Sequence, residues 1–166
     1  MSTEEDHVQL VRVAERHKTV LANLVQFYRY DLSEVRNYEL SPHGTYPYRY
    51  LDHYFVEPAR EPLFILAGER LAGFALVRKL DDGLLHLAEF FVLRALRRAG
   101  IGRRAATKLF RRFPGDWQLE YDHANVPATR FWPQVVEAVA DGPIEARDLY
   151  PPDVDYPCRE LRFHTS

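Results

Sequence analysis

The chain has one cysteine, Cys158, among its 166 residues. A disulfide within the chain is therefore excluded, and the composition suits a reducing compartment. No apolar run approaches the roughly 20 residues needed to span a bilayer, so no membrane association is expected. A large excess of either charge is also absent: 22 Lys and Arg against 24 Asp and Glu leave a formal net charge of −2. Nothing in that balance favours a nucleic-acid partner. There is no internal repeat, no low-complexity segment and no linker, so residues 1–166 are expected to form a single domain with a full hydrophobic core. The opening "MSTEEDHVQL" is acidic and polar, unlike a secretory or transit peptide, and a cytoplasmic location is the expectation.

The patterns that are present read as mixed α/β. "HVQLVRVA" (7–14) has the alternation of a first strand, and from Glu15 to about Tyr30 apolar residues recur at helical spacing. A polar, tyrosine-rich segment to about Phe55 reads as a short helix with loops. "EPLFILAGERLAGFALVR" (61–78) is a β-hairpin around Gly68-Glu69-Arg70, and Asp81-Asp82-Gly83 turns the chain into a third strand, "LLHLAEFFVL" (84–93). Residues 103–113 place Ala105, Ala106, Leu109, Phe110 and Phe113 on one helical stripe. "DWQLEYD" (116–122) is strand-like. "VPATRFWPQVVEAVA" (126–140) is helical, with Pro133 expected to kink it or mark a boundary. "CRELRFHT" (158–165) is a late strand.

One stretch lacks acidic residues altogether. From Arg94 to Arg112 there are eight basic residues and no Asp or Glu. Within it, "RRAGIGRRAA" (97–106) sets Gly100 and Gly102 between a long strand and an amphipathic helix, and no Ser, Thr, Asp or Asn caps that helix. Its first N–H groups are left without an internal partner. Glycine allows a ligand close to the backbone, and the helix dipole favours an anion there. Taken alone, the glycine pair reads equally well as a tight turn or as a phosphate site.

In its context the stretch resembles the signature of the GNAT superfamily, the acetyl-coenzyme A-dependent N-acyltransferases. Their Gln/Arg-x-x-Gly-x-Gly/Ala motif is matched by Arg97-x-x-Gly100-x-Gly102, with Val92 at the family's strand-end position eight residues before the first glycine. A second family feature, Asn-x-x-Ala-x-x-Phe-Tyr, is nearly matched by "NVPATRFW" (125–132), and polyamine acetyltransferases are similar across both motifs. The resemblance implies a GNAT-type α/β (α+β) fold: a mostly antiparallel central sheet of about six to seven strands, a splayed central strand and about four flanking helices. It implies acetyl-CoA as cosubstrate, no metal, and a small amine as acceptor. Arg97 and the loop Arg98, Ala99, Gly100, Ile101, Gly102 and Arg103 would hold the pyrophosphate. The strand edge Phe90, Phe91 and Val92 would bind the pantetheine arm.

For acid–base chemistry Glu89 is the first candidate, because a carboxylate in an apolar strand is costly unless it is paired or used. A surface charge or a structural ion pair is the plainer reading. His86 is the second candidate. The family's proton-donating tyrosine falls on Trp132, whose indole N–H is no acid at neutral pH. Trp132 then either stands in the donor's place or packs. Tyr121 and Tyr28 are alternative donors, and no spacing singles either out. Asn125 is read equally as a coenzyme ligand and as a helix cap.

Seven of the ten tyrosines lie between Tyr28 and Tyr54, with Asp31, Glu34, Glu39 and Asp52 among them. This segment suits a cationic amine, and it equally suits a homodimer surface. The missing tyrosine keeps a second class open, a non-catalytic acyl-CoA-binding module. A nucleic-acid binder using residues 94–112 is the third class, and it has least support.

Overall fold

The structure, a computed structural model, describes residues 7–97 and 99–166. Among these residues a seven-stranded sheet runs in the order β1-β2-β3-β4-β5-β7-β6. The strands are β1 (Val8–Arg12), β2 (Arg60–Ala67), β3 (Arg70–Lys79), β4 (Leu85–Val92), β5 (Gly115–Asp122), β6 (Glu145–Leu149) and β7 (Cys158–Thr165). Every neighbouring pair is antiparallel except β4 and β5. The helices are α1 (Lys18–Leu32), α2 (His53–Val56), α3 (Ile101–Arg112) and α4 (Val126–Val139). The mixed, mostly antiparallel sheet with four helices expected from the sequence is the architecture found.

Each face of the sheet is covered by the stripe that its helices present. On one face Ala106, Leu109 and Phe110 of α3 and Val135 and Val136 of α4 pack with Val77, Leu87 and Trp117. On the other, Leu21, Leu24 and Val25 of α1 and Tyr54 of α2 meet Phe74, Leu76 and Phe91. The turn before β4 closes as its residues dictate: Gly83 has φ 85°, and the Asp82 carboxylate accepts from the Leu84 amide at 3.0 Å.

Two points go beyond the sequence reading. Helix α4 is continuous through Pro133, so of the two alternatives, a kink or a boundary, the boundary is excluded. The ring removes one N–H donor, while Trp132, Val135 and Val136 keep the buried side of the helix seated. Strand β6 was not expected at all. Its residues "EARDL" are almost entirely exposed, so they carry no alternation to read.

The feature that opens the sheet lies between β4 and β5. Their parallel pairing covers only Leu85–Leu87 against Trp117–Leu119, after which the strands part. A bulge coincides with the parting: Val77 and Leu76 of β3 face Leu87 and Glu89, leaving Ala88 as the extra residue. Beyond Leu87, the backbone groups of β4 that point towards β5 have no strand to pair with. Across the other edge, β3 and β4 approach closely enough to require glycine. A Cβ on Gly73 would lie 1.9 Å from the Phe91 carbonyl oxygen.

Candidate active site

A cleft of about 310 Å³ occupies the gap between the parted strands. Leu87, Ala88, Glu89 and Phe90 of β4 form one wall, and Leu119 to Asp122 of β5 form the other. The end of α1 and the segment after it close one side, and Asn125, Ala128 and Trp132 close the α4 side.

The bulge decides which β4 side chains meet. Residues three apart on a regular strand point to opposite faces. The extra residue at Ala88 cancels that offset, so His86 and Glu89 share the α1 face, opposite Arg78 and Leu76 respectively. Glu89 accepts a hydrogen bond from the Tyr28 hydroxyl. Burial pushes its pKa up to about 7, against the opposing effects of the Tyr28 bond and the Arg29 and His86 charges. Burial and the neighbouring Glu89 raise the Tyr28 phenol well above its ordinary value. The pair is thus a neutral phenol donating to a carboxyl group that titrates near neutrality. His86 is held differently: its Nε2 lies 3.1 Å from Glu120 on β5, and this bond, against burial, lowers the Glu120 pKa.

On the opposite face Phe90 packs at 5.1 Å from the Trp132 ring and 6.1 Å from Phe131. Trp132 is also 6.4 Å from Phe110. It is a core residue that borders the cleft. Phe91 lies against Phe74 and Tyr28, and the Val92 side chain lies in a separate cluster with Ile101 and Ala105. Tyr121 borders the cleft, and burial raises its pKa. Asn125 caps α4, its side-chain oxygen accepting from the Ala128 amide at 3.4 Å, and it also lines the cleft.

The glycine loop leads from β4 into α3. Gly100 sits at the N-cap with φ 78°, and no side chain caps the helix. The first helical bond runs from the Arg104 amide to the Gly100 carbonyl at 3.1 Å. Among the described residues, the Ile101, Gly102 and Arg103 amides have no backbone acceptor. A Cβ on Gly102 would meet Phe131 and Val92 only at 3.5–3.7 Å, ordinary contact, so the protein itself does not require glycine there. Ala99 is partly buried and Arg103 is exposed in the first turn; Arg98 lies outside the described residues.

Arg97 has partners within the protein. Its guanidinium bonds Asp31 of α1 at 2.6 Å and the Val92 carbonyl at 3.0 Å, and Arg94 joins the same carboxylate at 2.5 Å. Lys108 and Arg112 donate to the Val8 and Leu10 carbonyls of β1, the latter at 2.8 Å. Arg104 donates to the Ala99 carbonyl at 3.4 Å, so most of the basic run has partners within the protein.

The tyrosine-rich segment contributes less than its composition implied. Of its seven tyrosines, only Tyr28 and Tyr38 line the cleft. Asp31 is bound to Arg94 and Arg97, and Asp52 to Lys18. Sequence reasoning missed Arg29, Arg36 and Tyr156, which do border the cleft. Arg36 forms a two-bond pair with Asp122, at 2.7 and 3.0 Å. The one available signal was helical spacing, since Tyr28, Arg29, Leu32, Val35 and Arg36 recur at one-turn intervals. Among the described residues no three His, Cys, Asp or Glu side chains are grouped as a metal site requires, and no helix is long and apolar enough to cross a membrane.

The site thus combines a mostly antiparallel sheet opened at its one parallel pair with a glycine loop that feeds an uncapped helix. Residues 25–135 match the sequence profile of the acetyltransferase (GNAT) family, and the chain belongs to that family of N-acetyltransferases. No curated protein sequence matches the chain. Among solved structures, an acetyltransferase from Thermus thermophilus superposes with a TM-score of 0.69 at 12% identity, covering 95% of this chain and 96% of that one. The aminoglycoside acetyltransferase AAC(6')-Ib, solved with coenzyme A and kanamycin, gives 0.67 at 14% identity over 95% of both chains. A Bacillus subtilis acetyltransferase in complex with CoA gives 0.57 at 12% identity, covering 96% and 99%.

Proposed function

We propose that the protein moves an acetyl group from acetyl-CoA to the primary amine of a small molecule by direct attack. The observation that carries this reading is the cleft itself, where the unpaired β4 edge and Glu89 lie together, with the uncapped start of α3 packed near Val92 at the end of the same strand. The fit to the cosubstrate is chemical. The Ile101, Gly102 and Arg103 amides are donors suited to a pyrophosphate, Gly102 leaves the approach open, and the free β4 edge suits an amide-bearing arm. Bound acetyl-CoA supplies an activated acyl carbon and a thiolate leaving group. Glu89 takes one proton from the incoming ammonium, and the neutral nitrogen then forms the N–C bond as the C–S bond breaks. The nitrogen sheds its second proton and the thiolate gains one, so one proton passes to solvent overall. A carboxyl group titrating near 7 is suited to that first step.

Trp132 in place of a phenol is the observation favouring a module that binds without turnover. Release of free thiol from acetyl-CoA across an amine panel decides between the two, turnover being expected. The coenzyme site is tested at Gly102. Gly102→Ala fits the open space, adds helix propensity of up to about 1 kcal/mol, and should leave affinity largely intact. Gly102→Glu brings a carboxylate to the proposed phosphate position, and calorimetry should show at least a tenfold weaker complex. Equal affinity of a folded Gly102→Glu protein would remove the site.

A further inference from the structure

We infer that the acceptor carries a carboxylate beside its amine, an amino-acid-like molecule, and that Arg29 binds that carboxylate. This rests on the transferase reading above and narrows it to one class of substrate.

Arg29 comes from the last turn of α1 and lines the cleft. Its Nε is buried and has no hydrogen-bond partner. Its guanidinium lies over the face of Tyr38, 4.2 Å from the ring centroid. The nearby acids are committed elsewhere: Glu89 to Tyr28, Glu120 to His86, and Asp122 to Arg36. Asp153 borders the same cleft and forms no ion pair with Arg29. A guanidinium stays charged at any physiological pH, and a donor buried without a partner is destabilising.

Arg36 shows what a satisfied arginine looks like in this cleft. Seven residues further on, it has a carboxylate on two of its nitrogens. Arg29 has the same fork of donors, lies over the Tyr38 ring, and lacks the carboxylate. Its charge is close enough to Glu89 to oppose the upward shift that burial imposes there. Glu89 and Arg29 line the same cleft, so one acceptor can hold its amine at the first and its carboxylate at the second.

The test compares thiol release with α-amino acids, their carboxamides, and the carboxylate-free amines putrescine and spermidine. It is run on the wild type, Arg29→Gln and Arg29→Lys, with acetyl-CoA affinity measured by calorimetry for each. The wild type should prefer at least one acid to its carboxamide by tenfold or more in kcat/KM. Arg29→Gln should lose roughly 10- to 100-fold with that acid, mainly in KM, and little with the carboxamide. Arg29→Lys should retain part of the preference. Comparable or better use of carboxamides or diamines, survival of the preference in Arg29→Gln, or turnover of no acid by a protein that binds acetyl-CoA would each overturn the inference. Failure of the wild type to bind acetyl-CoA would overturn the transferase reading itself.

Discussion

Glu89 is placed where ionisation works against the fold. A carboxyl group whose folded pKa stands near 7 binds more protons in the native chain than in the unfolded one between its ordinary value of 4.5 and 7. Stability therefore falls as pH rises through that window and stays reduced above it. Glu89→Gln removes the penalty while keeping a partner for the Tyr28 hydroxyl. The variant should be more stable than the wild type at pH 8, by about 1–3 kcal/mol, and should show no advantage at pH 4. The same substitution should lower turnover about 10²-fold, with recovery at high pH where the amine is already neutral. Thermal denaturation at both pH values and a pH–rate profile check the two halves. Wild-type turnover across the pH range would pass the base to His86 or to water. The sequence marked Glu89 and His86 as three apart, but it could not show that they share a face. The bulge at Ala88 has no glycine or proline to announce it, and it follows from how β3 and β4 register.

At the scale of elements, Asp31 ties the end of α1 to the segment before α3. Burial pushes its pKa up, but hydrogen bonds from Arg97 and Arg94 outweigh that and hold it below the usual value. A carboxyl group depressed in the folded state contributes stability above its unfolded pKa of about 3.8 and loses it as pH falls through the folded value. Asp31→Asn should lower stability by about 0.5–1.5 kcal/mol at pH 7, with the gap to the wild type closing below pH 4. Denaturant melts at the two pH values measure it, and a gap that stays constant with pH would mean that the carboxylate charge contributes nothing. The arginine run raised the question of a missing anion, and part of its answer lies 63 and 66 residues away along the chain. Periodicity recovered the three long helices and six of the strands because their buried faces are written in apolar residues. Strand β6 escaped because nothing on it is buried deeply. It is held by backbone pairing to β7 and by Arg147, which with Arg162 binds the buried Glu160. The pairs that shape the cleft escaped for a related reason. Arg36 and Asp122 are 86 residues apart, and nothing local to either names the other.

Across the whole molecule, the sheet has one weak seam and uses both of its faces there. The β4–β5 pairing ends at Leu119, after which Phe90 and Trp132 fill the α3–α4 side and Tyr28 and Glu89 occupy the α1 side. The edges are treated differently: on β1, charged side chains of α3 occupy the carbonyls of Val8 and Leu10. Unused backbone groups remain at the seam and, among the described residues, at the start of α3, and under the proposed function a cosubstrate bound there would complete their hydrogen bonding. Binding should consequently protect a contiguous band of amides, Ala88–Phe91 of β4 and Ile101–Arg103 of α3, from hydrogen exchange. It should protect β6 no more than overall stabilisation requires. At acetyl-CoA concentrations 100-fold above Kd the native state gains about 2.7 kcal/mol, so slow-exchanging core amides should slow together while the band shows additional, local protection. Exchange measured by mass spectrometry with and without acetyl-CoA distinguishes the two contributions. Extra protection along β1 and the outer face of α3, with none at the seam, would place the coenzyme on the other flank of the sheet and leave the β4–β5 gap without a role.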